Sequence, residues 1–242
     1  MRDDLVRWRP TRNFFYFCGQ IRRKLTTKKI YLIRHGQTDF NLKGIVQGSG
    51  VDAPLNEKGL AQARASYSAY KDTAFDKVYT SVLQRSIQSV QQFIDRGIPH
   101  EKYSGLNEIS WGHREGQVIT PEEDKYYHWV LEQWQQGKTD MPIEGGESPE
   151  QVAARQRPVI DIIMSRPEEK NVLVCMHGRA IRILMCVLLN YPLRSMDMFE
   201  HANLGLYVLA HTGSMFSVER FNDTAHLNAV PFPDDVKVVN KL

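Results

Sequence analysis

Two segments of the sequence place a histidine and a glycine directly after a short apolar run. In "YLIRHGQTDFN", Arg34 precedes His35 and Gly36, and in "NVLVCMHGRAIR", His177 and Gly178 are followed by an arginine. A neutral imidazole can act as a nucleophile, and nearby arginines disfavour the imidazolium and so keep the lone pair free. The planar guanidinium group can bind a phosphate through two hydrogen bonds. These residue types together indicate phosphoryl-transfer chemistry.

The elements that flank these segments predict how the residues come together. Three short runs are predicted to be buried strands: Lys29–Arg34, Phe75–Ser81 and Lys170–Met176. Each is followed by a predicted helix, which favours an α/β fold: a three-layer sandwich with a mostly parallel central sheet and helices on both faces. Ligands of such sheets bind beyond the carboxyl ends of the strands. His35, Arg85 and His177 all follow strands and are therefore expected to share one pocket with Arg34.

The remaining elements are predicted from periodicity and capping residues. Helices are expected over Asp52–Lys71 with Asn56 as N-cap, Val82–Gly97 with Gly97 at its end, Pro121–Lys138, Gly145–Ser165 with Ser148 as N-cap and a bend at Pro158, and Gly178–Asn190. Leu204–His211 and Met215–Asn222 are expected to pair as late strands. Ile98–Gly116 has no clear period and is expected to be a loop with one short strand.

Composition and charge divide the chain into a basic extension, residues 1–28, and one domain, residues 29–242. The chain has 242 residues and a formal charge of +3, but residues 1–29 carry six Arg and three Lys against two Asp. That segment therefore has a charge of +7 and the rest −4. No apolar run is long enough to span a membrane. The three cysteines have no paired spacing, which favours a reduced compartment and predicts a cytoplasmic protein.

The basic extension has three interpretations. It is a flexible or partly helical tail, a segment that attaches to anionic lipid or nucleic acid through its arginines and "FFYF", or a targeting segment. A secretory signal is disfavoured because Asp3 and Asp4 come early and the apolar core is short. Weak contact with a membrane surface is retained as a prediction, no nucleic-acid partner is expected, and the sequence makes no prediction of oligomeric state.

Two other interpretations of the His-Gly segments compete with phosphate binding. Each could be a simple strand-to-helix turn, although two at matching positions, both beside arginine, disfavour this. His35, His177 and nearby acids could instead bind a metal ion. Neighbouring arginines would repel a cation, however, and no HxH or HxxxH spacing is present. The sequence therefore predicts no metal ion and no cofactor, and a small phosphorylated substrate as the binding partner.

Six ordered motifs resemble the histidine phosphatase superfamily, also called the phosphoglycerate mutase-like family. They are "LIRHGQTDFN", "QGSGVDAPLNEKGLAQA", "YTSVLQRSIQS", "LNEISWGHREG", "GGESPEQVAAR" and "VLVCMHGRAIR", and the resemblance runs from about Lys29 to His226. It implies a phosphoglycerate mutase-like fold and catalysis through a phosphohistidine.

The resemblance also implies roles for individual residues. His35 is similar to the histidine that accepts the phosphoryl group, and Arg34, Arg85 and His177 resemble the phosphate clamp. Glu108 resembles the acid that protonates the leaving oxygen and then activates water. Asn41 and Gln47 resemble secondary contacts to phosphate or substrate, and Gly36, Gly48 and Gly178 resemble backbone positions at the pocket. The residues alone do not distinguish Glu108 from Glu115, Glu122 or Glu123 as the acid.

The resemblance favours a metal-independent phosphatase of histidine acid type over a mutase. Mutases of the family have an asparagine after the second His-Gly, where this chain has Arg179, and a basic segment over the site. A cofactor-dependent phosphoglycerate mutase stays the alternative, and a non-catalytic phospho-ligand-binding protein is the third. Other histidines are assigned simpler roles: His113, His128 and His201 as surface or capping residues, and His226 as part of a turn, with the rim of the cleft as the alternative.

Overall fold

A computed structural model describes residues 28–118 and 120–228. The expectations for the basic tail fall on residues 1–27, outside this range, and Lys28 already belongs to the first strand. Six strands form one sheet in the order β3-β2-β4-β1-β5-β6. The strands are β1 (Lys28–Arg34), β2 (Lys77–Thr80), β3 (His100–Lys102), β4 (Asn171–Met176), β5 (Leu206–His211) and β6 (Phe216–Asp223). The first four run parallel, and β5 and β6 form an antiparallel hairpin, as expected for the late strands.

The helices are α1 (Asp39–Lys43), α2 (Glu57–Tyr70), α3 (Gln84–Asp95), α4 (Pro121–Gln135), α5 (Pro149–Met164) and α6 (Gly178–Leu189). The expected caps are confirmed: Asn56 accepts from the Gly59 N–H at 2.9 Å, and Ser148 forms a capping box on α5. Gly97, at φ +93°, follows the end of α3. Helix α5 continues through Pro158, and the bend there stays a prediction.

Helices cover both faces of the sheet, so the three-layer α/β/α fold is confirmed. Alternate residues of β4 point to opposite cores: Val172 and Val174 face α5 and α6, whereas Leu173 and Cys175 pack with Phe93 of α3. A strand buried on both faces explains why its sequence is continuously apolar. No helix in the described segments is both long and apolar enough to cross a bilayer.

The carboxyl ends of the three central strands lie level with one another. Arg34 of β1 pairs with Met176 of β4, and Thr80 of β2 pairs with Cys175. Helix α1, which was not predicted, forms directly beyond β1 because Thr38 makes a capping box at its start. The loop segment beyond β3 contains two short 3₁₀ turns, Ser104–Leu106 and Gly112–Arg114. This edge therefore collects the residues that follow each strand.

Candidate active site

The sheet edge brings the two His-Gly segments together. His35 follows β1, and its backbone N–H donates to the Met176 carbonyl at 2.9 Å, which extends the ladder by one residue. His177 follows β4 and is the N-cap residue of α6. The two imidazole centroids are 5.1 Å apart, and both side chains are buried. Parallel pairing of β1 and β4 thus fixes the separation of the histidines.

The hydrogen bonding of His35 defines its tautomer. Nδ1 lies 2.7 Å from the Gly36 carbonyl oxygen, which can only accept, so Nδ1 carries the proton and donates. The lone pair is therefore on Nε2. Burial, followed by the charges of Arg85 and Arg34, lowers the pKa of His35 well below its usual value, against a smaller opposing effect of the Gly36 bond. His35 is a neutral imidazole with a free Nε2, which is the form a nucleophile needs.

His177 is held on both ring nitrogens. Arg85 Nε donates to its Nδ1 at 3.2 Å, so the proton lies on Nε2, which donates to Ser81 Oγ at 2.7 Å. Burial, then Arg85 and His35, lowers the pKa of His177 well below its usual value. The remaining nitrogens of Arg85 donate to the carbonyls of Gly48 and Val51. His177 and Arg85 therefore form one buried pair directly behind His35.

Two guanidinium groups are buried here without a carboxylate in salt-bridge contact, within the part of the chain described. Arg34 is 8% exposed and Arg85 is 0% exposed. Burial lowers the pKa of each to about 10, and the nearby charge of Glu108 opposes the shift. Both are still cations at neutral pH. A buried cation without an ionic partner is unfavourable, and a bound anion would compensate it.

Glu108 contributes a carboxylate to this site. Its Oε1 accepts the N–H groups of Ile109 and Ala180, both at 2.9 Å, and Oε2 accepts that of Arg179 at 3.2 Å. The carboxylate thus sits at the N-terminus of α6, where the helix dipole favours negative charge. Oε2 has one hydrogen bond fewer than Oε1, and its contact is the longer one.

The structure separates Glu108 from the other three acids. Glu115 accepts from the backbone of Trp111 and Gly50. Glu122 is exposed, and Glu123 caps α4 through Thr120. Only Glu108, among these four, lines the cleft that contains His35. The geometry therefore places Glu108, and not the other three acids, beside His35.

A small cleft contains six of the predicted site residues. Its wall is formed by Arg34, His35, Asn41, Gln47, Glu108 and Gly178, together with Ile45, Val46, Trp111, Arg179 and His201. Arg85 and His177 lie behind this wall. Gly36 and Gly48 contribute carbonyl acceptors to His35 and Arg85. A Cβ at Gly36 would approach the Gly59 carbonyl to 2.8 Å, so its absence lets α2 pack against the loop.

Asn41 and Gln47 hold the loop that follows His35. Gln47 Nε2 donates to Thr38 Oγ1 at 3.0 Å, and Asn41 belongs to the capping box of α1. Asn203 reaches the same loop: its Nδ2 donates to the His35 carbonyl at 2.9 Å. Asn203 was not predicted, because no local pattern links the turn before β5 to the end of β1.

The prediction for His201 as a surface or capping residue is wrong. It is 5% exposed, lies in the cleft wall, and its Nδ1 is 3.2 Å from Arg34 Nη1. The polar residues that flank it suggested exposure, but packing of this segment over the start of α6 buries the ring. The prediction for His226 is confirmed, since it lies in the 3₁₀ turn Ala225–Leu227 beside Tyr70.

Arg179 also lies in the cleft wall and is 2% exposed. It shares the carboxylate of Asp197 with Arg182, whose Nη1 is 2.5 Å from Asp197 Oδ1. Burial alone lowers the pKa of Arg179, but Tyr127 and Asp197 together raise it above its usual value. Two arginines against one carboxylate leave a net positive charge on this side of the cleft.

A larger groove, about 540 Å³, lies beside Tyr103, Asn107 and Pro158. Its charged residues Glu147 and Arg155 are paired by two contacts of 2.8 and 2.9 Å, so they offer little free charge to a ligand. Within the described ranges, no group of three or more His, Cys, Asp or Glu side chains is arranged to hold a metal ion. The small cleft, with its buried cations and neutral nucleophile, is therefore the candidate active site.

The buried histidines predict a loss of stability at acid pH. The folded-state pKa values of His35, His177 and His201 all lie below the unfolded value of about 6.5. Below that pH the unfolded chain binds more protons, so the free energy of unfolding falls as pH falls, by up to about 1.4 kcal/mol per pH unit for each histidine. Denaturant unfolding between pH 7.5 and 5.0 measures this slope.

A histidine variant separates the contribution of one histidine to the pH dependence of unfolding from that of the carboxylates. His35→Asn should reduce the slope between pH 6.5 and 5.0, because one proton fewer is taken up on unfolding. An unaltered slope in His35→Asn would contradict the neutral assignment of His35.

Comparison with known proteins shows the family to which the chain belongs. The sequence profile of the histidine phosphatase superfamily (branch 1) matches residues 30–224. The 2,3-bisphosphoglycerate-dependent phosphoglycerate mutase of Bradyrhizobium diazoefficiens is 34% identical over 175 residues, which cover 68% of this chain and 82% of that protein. Mouse 6-phosphofructo-2-kinase/fructose-2,6-bisphosphatase 1 is 33% identical over 168 residues, which cover 69% of this chain but only 34% of that protein.

Among solved structures, Bacillus stearothermophilus YhfR superimposes with a TM-score of 0.72 and 27% identity, over 83% of this chain and 99% of that chain. The family profile spans most of the chain, and its region includes both His-Gly segments and Glu108. Sequence, fold and site thus lead to one assignment: the chain belongs to the histidine phosphatase superfamily (branch 1).

Proposed function

We propose that this chain is a phosphomonoesterase that hydrolyses small phosphorylated metabolites through a phosphohistidine at His35. The observation that carries the proposal is the neutral His35, whose Nδ1 is fixed by the Gly36 carbonyl and whose Nε2 is free, in the same cleft as Arg34 and Glu108. The relatives named above include a mutase and a bisphosphatase, and both names concern phosphoryl groups on small metabolites.

The first step transfers the phosphoryl group to the enzyme. His35 Nε2 attacks phosphorus in line, and an N–P bond forms as the P–O bond to the ester oxygen breaks. The protonated carboxyl of Glu108 gives its proton to the departing oxygen. Arg34 and Arg85 stabilise the negative charge of the phosphoryl oxygens, and their burial strengthens this effect.

The second step releases orthophosphate. Water attacks the phosphorus of phospho-His35, the Glu108 carboxylate takes the proton of the water, and the N–P bond breaks. Glu108 is then protonated for the next cycle. The bond from His35 Nδ1 to the Gly36 carbonyl keeps the ring in one orientation through both steps.

A mutase is the second candidate, because one similar relative is a phosphoglycerate mutase. The positions of the basic side chains between Glu108 and Gly145 support hydrolysis instead. Arg114 donates to the Glu123 carbonyl, Lys138 donates to Gln133, and Lys125 is exposed. None of these three lines the cleft. These three cations therefore do not form a basic segment over the cleft that would hold a phosphorylated intermediate away from water.

Phosphate release from a panel of esters tests the proposal. The panel contains p-nitrophenyl phosphate, sugar phosphates, 3-phosphoglycerate and fructose 2,6-bisphosphate, with and without 2,3-bisphosphoglycerate. Hydrolysis of one or more supports the phosphatase. Interconversion of 3- and 2-phosphoglycerate without release would indicate the mutase, and inactivity in both assays would favour a protein that only binds phosphorylated ligands.

Chelation is expected to leave the activity unchanged, because protein cations and a histidine nucleophile supply the chemistry proposed here. The rate of phosphate release should be the same before and after dialysis against EDTA. A loss of activity that Mg²⁺ or Zn²⁺ restores would contradict the proposed mechanism.

A further inference from the structure

His201 occupies a position in the cleft that the proposed chemistry does not yet use. Its ring lies against the start of α6, where a Cβ on Gly178 would be 2.7 Å from His201 Cε1. Gly178 therefore allows the imidazole to lie flat on the helix terminus. The side chain is 95% buried, and it lines the same cleft as His35 and Arg34.

The contact with Arg34 defines the tautomer of His201. A guanidinium nitrogen can only donate, so Arg34 Nη1 donates to His201 Nδ1 at 3.2 Å. The proton of the neutral ring therefore lies on Nε2. Burial, followed by the charges of Arg34, Arg182 and Arg179, lowers the pKa of His201 well below its usual value, which keeps the ring neutral.

Among the described residues that line this cleft, three donors have no acceptor and are buried from solvent: His201 Nε2, Arg34 Nε and Arg179 Nε. Buried donors are almost always paired, and leaving one unpaired costs about 1–3 kcal/mol. Because Arg34 and His201 are hydrogen-bonded to each other, their free N–H groups belong to one local cluster at the cleft wall.

We propose that His201 is a substrate-binding residue: its Nδ1 fixes Arg34, and its Nε2–H donates to an oxygen of the phosphoryl group bound beside His35. This inference rests on the proposed function, since it adds a neutral donor to the same phosphate site. A neutral donor completes the hydrogen bonding of the phosphoryl oxygens without adding another cation to Arg34, Arg85 and Arg179.

Two variants separate the two nitrogens of His201. The short amide of His201→Asn can place an oxygen near the position of Nδ1, which keeps the acceptor for Arg34 but removes the Nε2 donor. The longer amide of His201→Gln can place an N–H near Nε2 and gives up the acceptor. His226→Asn is the matched control, because His226 Nε2 is also buried without a partner but lies beside Tyr70.

Calorimetric titration of the full chain with inorganic phosphate measures the effect without requiring turnover. A hydrogen bond to a charged group is worth about 1.5–3 kcal/mol, so His201→Asn should weaken phosphate binding by about tenfold or more. His201→Gln should bind within about threefold of wild type, and His226→Asn should be unchanged. Equal affinity of His201→Asn and wild type, or a larger loss in His201→Gln than in His201→Asn, would overturn the proposal.

Nitrogen NMR of the wild-type chain tests the same point without a variant. The His201 ring should show the Nε2–H tautomer, and its Nε2 resonance should move when phosphate is added. A His35 resonance that moves while that of His201 does not would refute the inference. If the wild type binds phosphate but hydrolyses no ester, the proposed function fails and the His201 result still stands; if it binds no phosphate, both fail.

Discussion

His35→Asn is expected to lower the rate of phosphate release by at least about 10⁴-fold, because no other free nucleophilic nitrogen is present among the described residues of the cleft wall. The neighbouring imidazole of His177 cannot replace it. Arg85 occupies its Nδ1, and its Nε2 carries the proton donated to Ser81. The measurement is the steady-state rate of phosphate release by wild type and variant on the best ester of the panel.

A chemical trap distinguishes loss of the nucleophile from a general disturbance. Rapid denaturation of wild-type enzyme during turnover of a ³²P-labelled ester should give an acid-labile phosphoprotein, and His35→Asn should give none. His128→Asn, half-exposed on α4, should label and turn over as wild type does. Full activity or normal labelling in His35→Asn would rule out the proposed phosphohistidine.

Glu108→Gln is expected to reduce turnover of alkyl phosphates by about 10²–10⁴-fold, the usual contribution of general acid–base catalysis. The amide oxygen of glutamine can still accept the N–H groups of Ile109 and Ala180, so the start of α6 should be preserved. What the variant loses is the proton for the leaving oxygen and the base for water.

Esters with different leaving groups distinguish the loss of the general acid from the loss of the general base. Nitrophenolate leaves readily without protonation, so Glu108→Gln should release a burst of p-nitrophenol from p-nitrophenyl phosphate and then turn over slowly, because the phosphohistidine still requires a base. Alkyl phosphates should show no burst. Glu132→Gln, at an exposed position of α4, is the control and should behave as wild type. Equal losses with both classes of ester and no burst would argue against Glu108 as the proton donor.

Much of the fold follows from local patterns in the sequence. Asn56, Ser148 and Gly97 mark helix ends through contacts within a few residues of themselves, and the structure has those ends. The sequences of the central strands are continuously apolar because helices cover both faces of these strands. Helix α1 was missed because five residues give too little periodicity, although Thr38 and Asn41 form its capping box.

The residue pattern was sufficient to predict that two His-Gly turns, each beside arginine, end two strands of a parallel sheet, and so that His35 and His177 meet. The prediction was possible because parallel strands place their carboxyl ends, and so both histidines, at the same edge of the sheet. Only the family resemblance pointed to Glu108, and no residue pattern predicted the outer wall of the cleft. Glu108 accepts from the backbone of α6, 71 residues away, and His201 meets Arg34 across 167 residues. Such contacts depend on how loops pack over the sheet edge, and no local periodicity encodes that packing.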